Sequence, residues 1–292
     1  MIECTIINNE TGEVMNENFK IDELEDTKRK KDSAIKSKLN NEFKELQQEY
    51  LGNFVFFLFS DIDTLANELN DNDLVKFIYL GTYVKSDGGL RLDNNKTCVT
   101  KDTLKKLLGV SINNAKDFYK TMIENNLIAE NELGELRINP LYFFRGKDKD
   151  YNKLTGEKLK EFARLYTKST RALYEETNSR NYKGLAMTYK LLPFTSWKFN
   201  VLCENINETN EELVKPLNLY KVCELLGWNK KNMKKLLLDL MATKVQGYNV
   251  FLRVGSEWDM MTDNIIVNPL VYYRASEPTE LSRLISLFKI VK

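Results

Sequence analysis

A duplicated pattern constrains this chain most strongly. The segment Leu107-Leu108-Gly109-Val110-Ser111 returns 118 residues later as Leu225-Leu226-Gly227-Trp228-Asn229. In both copies an apolar helical pattern stops at a glycine, a capping residue follows, and a second amphipathic pattern begins. Each copy then closes with a similar Asn-Pro phrase, in residues 138–145 and 267–274. We therefore interpret the chain as one structural module used twice.

The first copy predicts a defined order of elements. Thr100 caps a helix that ends at Gly109, and Ser111 caps a second helix over 112–127. A short hairpin follows, with strands near 127–129 and 136–138 and a turn near Gly134. The apolar stripe of the second helix, which we expect to be buried, consists of Ala115, Phe118, Met122 and Ile123. Helix, turn, helix and hairpin is the order of a winged helix-turn-helix.

The second copy repeats this order with different surface residues. Asn218 takes the capping place of Thr100, and Asn229 takes that of Ser111. The second helix should run over 230–245. The two Asn-Pro phrases lie 129 residues apart, so the second hairpin is about eleven residues longer. We expect this extra length at its tip, around 254–259, because hairpin tips tolerate insertion.

The predicted fold class is mainly α with small β wings (α+β). Two tandem winged helix-turn-helix domains are joined by a long helix, and an N-terminal β-hairpin precedes them. The expected segments are a hairpin of strands 2–7 and 14–21 with a charged helix or arm (1–60), a first domain (61–150), a connecting helix (151–181, its core from Lys153 to Asn178), a second domain (182–276) and a C-terminal helix (277–292).

The composition excludes several classes of function. The chain has no histidine, which removes Ser-His and Cys-His nucleophile pairs and histidine metal ligands. Its four cysteines form no Cys-x-x-Cys pair and are expected as free, buried thiols. The acidic pairs Asp61/Asp63 and Asp71/Asp73 occupy polar turn or cap positions without a glycine-rich phosphate loop. We predict no enzyme, no catalytic residue, no metal and no cofactor.

Two further expectations concern location. No apolar run approaches the ~18 residues of a membrane span, and the N-terminus lacks the regions of a signal peptide. We therefore expect a cytoplasmic protein without a membrane partner. The formal net charge is only +1, so any argument for nucleic acid depends on local charge patterns.

The exposed faces of the two second helices carry the predicted DNA contacts. Such a helix reads base edges in the major groove, and the wing lies on the adjacent backbone. In the first module these residues are Ser111, Asn113, Asn114, Lys116, Asp117, Lys120 and, on the wing, Arg137. In the second module they are Asn229, Lys230, Lys231, Asn232, Lys234, Lys235, Arg253 and Trp258. The hypothesis is that the lysine face supplies electrostatic affinity and the asparagine face supplies discrimination.

Several of these segments together carry a family resemblance. The hairpin turn Thr11-Gly12-Glu13, the region 100–126 and the phrase from Ile138-Asn139-Pro140 to Arg145-Gly146 resemble the winged helix-turn-helix replication proteins of the RepL type. Those proteins are carried by plasmids and prophages. The resemblance implies DNA binding and a mobile-element origin. The chain departs from that family in having two modules.

Three functions compete on this basis. The leading interpretation is a sequence-specific double-stranded DNA-binding protein that regulates transcription for a phage or plasmid. Its two modules would cover an asymmetric or direct-repeat site, and a homodimer would cover four half-sites. The alternatives are a plasmid or phage replication initiator that binds origin repeats, and a scaffold that captures a host or phage protein. Helix-turn-helix shapes also occur in domains that bind only protein, and a lysine-rich helix face is often simply solvated.

Overall fold

The structure is a computed structural model that describes residues 2–21, 25–58, 65, 68–93, 96–159, 161–255 and 264–290. It is mixed α+β, as expected. The chain divides into two compact units, residues 1–45 and 46–292. Within the described residues, no helix is long and apolar enough to cross a membrane.

The first unit contains the predicted hairpin and a long helix. Strands β1 (Ile2–Ile7) and β2 (Val14–Ile21) pair antiparallel, and Gly12 adopts a φ of 72° in the turn between them. Helix α1 (Glu25–Leu46) follows. The basic run Lys28-Arg29-Lys30-Lys31 lies on this helix and is exposed.

The second unit is built around a four-stranded antiparallel sheet in the order β12-β7-β3-β6. Its strands are β3 (Phe54–Leu58), β6 (Phe143–Phe144), β7 (Phe162–Tyr166) and β12 (Tyr272–Tyr273). Strand β3 consists of five consecutive apolar residues, as a strand buried in the middle of a sheet requires. It lies at the centre of this sheet and so belongs to the second unit.

The first half of this unit runs from β3 to the short helix after β6. Its elements are α2 (Asp71–Gly81), α3 (Lys101–Leu108), α4 (Ile112–Glu124), β4 (Ile128–Glu130), β5 (Leu136–Ile138) and α5 (Asp148–Thr155). The two predicted helices around Gly109 and the hairpin behind them are confirmed.

The second half repeats this sequence of elements. It contains α6 (Thr167–Glu176), α7 (Tyr182–Leu191), α8 (Leu219–Leu225), α9 (Met233–Met241), β8 (Lys244–Val245), β9 (Tyr248–Asn249), β10 (Phe251–Val254), β11 (Asn264–Val267) and α10 (Pro278–Ile290). The C-terminal helix is confirmed. Helix α7 gives way to a 3₁₀ turn at Leu192–Phe194, as Pro193 predicts.

The prediction of a long connecting helix over 151–181 is wrong. Helix α5 ends at Gly156, which has a φ of 77°, and the chain then enters strand β7 before helix α6 begins. Within the predicted helix, Phe162, Ala163 and Tyr166 are spaced as they would be on one apolar face of a helix. These residues instead belong to a strand, because β7 finds its hydrogen-bonding partner in β3, more than 100 residues earlier.

An approximate twofold axis relates the two halves of the sheet. Strand β3 pairs with β6 in the same way as β7 pairs with β12, so Phe56 and Arg164 hold equivalent places. These two residues also lie directly opposite each other in the β3–β7 ladder. An antiparallel pair in which equivalent residues face each other has its twofold axis normal to the sheet. A rotation about this axis therefore exchanges each element of the first half with its equivalent in the second half. Both equivalents lie on the same face of the sheet.

Helices α2 and α7, the equivalent helices of the two halves, pack against each other. Helix α2 is almost wholly buried, and its Phe77 ring lies edge-on to Phe143, 5.3 Å between centroids. The α2–α7 contact includes an ion pair between Asp71 and Lys190 at 2.7 Å. Asp73 pairs with Lys76 at 2.9 Å, so this acidic pair is engaged in structural contacts. The other pair, Asp61/Asp63, lies outside the described residues.

The Asn-Pro phrase is a structural device in both halves. The side-chain amides of Asn139 and Asn268 donate to the carbonyls of Asn126 (2.9 Å) and Asn249 (2.8 Å). Each Asn Oδ1 also accepts from the backbone N–H two residues further on, at 3.0 and 2.9 Å. The asparagine thus ties the base of the hairpin in each half, and the aromatic pair that follows joins the central sheet as β6 or β12.

The extra residues of the second half are not all at the wing tip. The N–H of Asn139 donates to Leu127, and that of Asn268 donates to Val250, so these carbonyl residues are equivalent. Leu127 follows Met122 by five residues, whereas Val250 follows Leu240, its equivalent, by ten. Five additional residues therefore form the small hairpin β8–β9, and only the other six lengthen the wing. The prediction that all eleven lie around 254–259 is wrong.

Candidate functional site

The first helix-turn-helix corner has the geometry that its sequence predicts. Gly109 adopts a φ of 62° after α3, and Thr100 and Thr103 form a capping box at the start of that helix. Ser111 Oγ accepts from the N–H of Asn114 at 3.3 Å, which starts α4 directly as an α-helix.

Helix α4 separates an apolar face from a polar one. Ala115, Phe118 and Met122 are buried, and Ile123 is half-buried. All six predicted contact residues of the corner and helix are exposed: Ser111, Asn113, Asn114, Lys116, Asp117 and Lys120. Lys120 lies 3.7 Å from Glu124 on the same helix, in an exposed ion pair of small energetic weight.

The second corner differs in its first turn. Gly227 has a φ of 60°, but Asn229 Oδ1 accepts from Lys231, two residues on, at 2.9 Å. Trp228 Nε1 also donates to the carbonyl of Asn232 at 3.2 Å. Residues Lys230–Asn232 consequently form a 3₁₀ turn, and the α-helix begins only at Met233. The prediction of one helix over 230–245 is wrong at both ends, since α9 also stops at Met241.

The lysine face of the second corner is smaller than its sequence suggests. Lys230 donates to Glu224 at 2.5 Å and lies 4.1 Å from the centroid of the Tyr220 ring. The hydrogen bond to Glu224 raises the pKa of Lys230. Three lysines, Lys231, Lys234 and Lys235, extend the exposed face along the turn and helix, together with Asn229 and Asn232.

A groove beside α9 adds basic residues that the sequence did not identify. It has a volume of about 730 Å³ and is lined by Lys235, Arg180, Lys183 and Lys244, with Glu176 and Asp239 among its acidic residues. The ammonium group of Lys183 lies 4.4 Å from the centroid of the Trp228 ring. Arg180 and Lys183 are some 50 residues from the second corner, so only the packing of α7 beside α9 brings them there.

The residues predicted to contact DNA from the wings, Arg137 and Arg253, differ in their exposure. Arg137 is exposed on β5, and its guanidinium donates to the backbone carbonyl of Asp87 in the neighbouring turn. Arg253 is half-buried on β10, directly opposite Ile265, and it has partners of its own. Trp258 lies outside the described residues.

The remaining reactive groups show structural roles. Cys203 and Cys223 are buried free thiols, and burial raises the pKa of Cys203 to about 11. Cys98 is only half-buried, unlike the expectation for the cysteines as a group. Among the described residues, no group of three or more cysteine or acidic side chains is placed to hold a metal ion.

No protein-family model, curated protein or solved structure matches this chain.

Proposed function

We propose that residues 46–292 form two winged helix-turn-helix modules fused about the central sheet, and that they bind duplex DNA sequence-specifically. The observation that carries the proposal is the duplicated corner. Helices α4 and α9 each follow a glycine with positive φ, each buries one apolar face, and each exposes amide and lysine side chains. Such side chains supply hydrogen bonds to base edges and positive charge to phosphates.

The twofold axis gives the proposal a specific geometry. An axis normal to the sheet exchanges α4 and α9, so both helices project in the same sense along that axis. Dimeric helix-turn-helix proteins with this symmetry bind half-sites of opposite orientation. We therefore infer an inverted arrangement of two unlike half-sites, instead of the direct repeat that a head-to-tail tandem would read.

Within this proposal the two modules have different roles in DNA binding. Asn113 and Asn114 would contact bases, because an asparagine amide can bond bidentately to adenine. Lys231, Lys234 and Lys235 would neutralise phosphates, and the groove with Arg180 and Lys183 extends this basic surface. Lys230 contributes less, since Glu224 already neutralises it.

The biological role we favour is regulation of transcription in a phage or plasmid. A replication initiator is the second candidate, supported by the resemblance of residues 100–126 and 138–146 to the RepL type. Footprinting on the DNA flanking the gene separates the two roles. Protection of promoter elements favours the regulator, and protection of iterated repeats within an origin favours the initiator.

The test of DNA binding itself is retention of the full chain on random-sequence duplex DNA over a range of salt concentrations. We expect retention that falls steeply with salt, because lysines that contact phosphates release counterions. Absence of salt-dependent retention would overturn the proposal and favour a protein-binding scaffold.

A further inference from the structure

Two adjoining cavities lie on the first half of the second unit, away from its helix-turn-helix corner. The larger, about 480 Å³, is lined by Lys85, Ser86, Arg91, Arg145 and Gly146. The smaller, about 230 Å³, is lined by Gln47, Asn53, Phe54, Phe56, Arg145 and Gly146. Arg145 and Gly146 form the wall that the cavities share, so a basic space lies directly beside an aromatic one.

The basic cavity concentrates positive charge. Among the described residues, neither Lys85 nor Arg145 has an acidic partner within ion-pair distance, while Arg91 pairs with Asp87 at 2.5 Å. Partial burial lowers the pKa of Lys85, and the positive charge of Arg145 lowers it further. A bound anion would relieve this repulsion.

The aromatic cavity offers ring surfaces. Phe54 and Phe56 are half-buried and lie edge-to-face, 5.1 Å between centroids. On the same face of the sheet, Phe56 also packs beside Phe162 (4.8 Å) and Phe144 (6.4 Å). This packing fixes the ring of Phe56 in place, which suits it to contact a planar ligand group.

Gly146 shapes the shared wall. Its φ is 152°, and a Cβ there would lie 2.7 Å from the ring of Phe144. A side chain here would clash with the ring, so only glycine lets the backbone lie this close to Phe144. The path of the backbone at Gly146 places Arg145 between the two cavities.

The second half of the unit places other residues at the positions of Lys85 and Arg91, on a similar backbone whose turn is one residue longer. The N–H groups of Lys85 and Ser196 donate in equivalent turns, to Gly89 (2.9 Å) and Val201 (2.8 Å). The isolated bridges Arg91–Cys98 and Cys203–Pro216 make Arg91 equivalent to Cys203. Ser196 and Cys203 are both completely buried. The shared scaffold therefore does not need a cation at the place of Lys85 or Arg91, whereas the place of Arg145 is an arginine in both halves, Arg274 in the second.

In the second half, a hydrogen-bonded arginine side chain takes the place that corresponds to the aromatic cavity. Arg164 is the equivalent of Phe56, and its guanidinium donates to the carbonyls of Arg274 (2.8 Å) and Ala275 (2.6 Å). Those two residues are the equivalents of Arg145 and Gly146, which follow β6 as they follow β12. Where the second half places a bonded arginine, the first half leaves a space beside Phe56.

We propose that these cavities form a nucleotide site, in which Lys85 and Arg145 bind a phosphate group and Phe56 contacts the base. Arginine and lysine bind phosphate through charge-assisted hydrogen bonds, and aromatic side chains stack bases without strong sequence preference. The same chemistry fits a free mononucleotide and an unpaired nucleotide of a DNA strand. The site does not depend on the proposed binding of duplex DNA.

Titration calorimetry with the full chain tests this site. The probes are inorganic phosphate, thymidine, thymidine 5′-monophosphate and an oligothymidylate of eight nucleotides. We expect the monophosphate to bind more tightly than phosphate or thymidine alone. An oligothymidylate that binds at least tenfold more tightly than the monophosphate identifies a DNA strand as the source, and equal affinities identify the free nucleotide.

Variants assign the roles of the residues. Arg145→Gln and Lys85→Gln should each weaken monophosphate binding about tenfold. Phe56→Leu should weaken it several-fold and leave phosphate binding unchanged. Lys153→Gln, which removes a charge from an exposed position on α5, is the matched control and should bind normally. Circular dichroism verifies that each variant is folded.

Two results would overturn the proposal of a nucleotide site. One is absence of heat for every probe at millimolar concentration. The other is binding that neither Arg145→Gln nor Lys85→Gln weakens. Duplex retention, measured on the same samples, reports separately on the helix-turn-helix proposal, so failure of one is not mistaken for failure of the other.

Discussion

The two halves of the second unit share a frame but differ in what they display on it. In both, the asparagine of the Asn-Pro phrase ties the base of the hairpin, and the aromatic pair four and five residues further on pairs with a central strand. Around the glycine corners the halves diverge, with a continuous helix in the first and a 3₁₀ turn in the second. The shared hydrogen bonds and aromatic pairs therefore keep the same frame in both halves, and the surface residues differ.

The largest effect that we expect at a pair of equivalent positions is in the sheet. Phe57 and Leu165 are equivalent and both completely buried, but only Phe57 stacks on an aromatic partner, Phe143, at 5.0 Å. Phe57→Ala should lower the free energy of unfolding by about 3–5 kcal/mol, since a large ring is removed from a packed core. Leu165→Ala should cost about 2–4 kcal/mol. Denaturant unfolding followed by fluorescence and circular dichroism measures both. A greater loss for Leu165→Ala would mean that the aromatic stack adds little.

The next effect concerns the two asparagines. Asn268 is completely buried, whereas Asn139 is half-buried, although both make the same hydrogen bonds. Asn268→Ala should destabilise the protein by about 2–3 kcal/mol, because it removes a completely buried amide and leaves the partly buried carbonyl of Asn249 without its partner. Asn139→Ala should cost about 1 kcal/mol, since water can reach that site. Equal losses in denaturant unfolding would show that exposure does not distinguish the two wings.

The proposed division of labour in DNA binding predicts a smaller, qualitative difference. The double variant Lys231→Gln and Lys235→Gln should reduce affinity for all duplexes about tenfold. It should also reduce the slope of log K against log salt by about two, as expected for two lost phosphate contacts. Asn113→Ala with Asn114→Ala should leave that slope unchanged and relax sequence preference. Fluorescence anisotropy on labelled duplexes at several salt concentrations measures both quantities.

An unchanged slope in the lysine variant would refute the electrostatic role of the second module. Lys230→Gln is the internal control. Because Lys230 already pairs with Glu224, its loss should change the slope less than the loss of Lys231 does.

The smallest effect should come from exchanging the caps. Asn229→Ser gives the second corner the cap of the first, whose Ser111 bonds to the N–H three residues on. We expect residues 230–232 to shift towards α-helix with a stability change of about 0.5 kcal/mol. Amide hydrogen exchange of Asn232 and Met233 would detect the change. Unaltered exchange would mean that the Trp228–Asn232 bond, and not the cap, determines the 3₁₀ turn.

The accuracy of the sequence-based predictions follows the range of the interactions involved. Helix α4, its cap and its buried stripe depend on contacts within a few residues, and all were predictable. Strand β7 was not, because residues 159–166 also fit a helical stripe and become a strand only by pairing with β3. The twofold axis passes through that same pairing, so it was hidden as well.

The same reasoning applies to the candidate sites. The exposed faces of α4 and α9 follow from helical spacing. The neutralisation of Lys230 depends on Glu224, which precedes the turn, and the groove residues Arg180 and Lys183 come from another helix. The cavities at Arg145 combine residues from the segments 47–56, 85–91 and 145–146, and no local pattern in the sequence signals that these segments meet.

The central claim is that one chain presents two unlike reading helices related by a twofold axis. Selection of the full chain on random duplexes, followed by sequencing, tests it most directly. We predict one enriched motif with two different half-sites in inverted orientation at a fixed spacing, with the half-site of the first module lost in Asn113→Ala with Asn114→Ala. Two identical half-sites in direct repeat, or no enrichment at any salt concentration, would contradict the account.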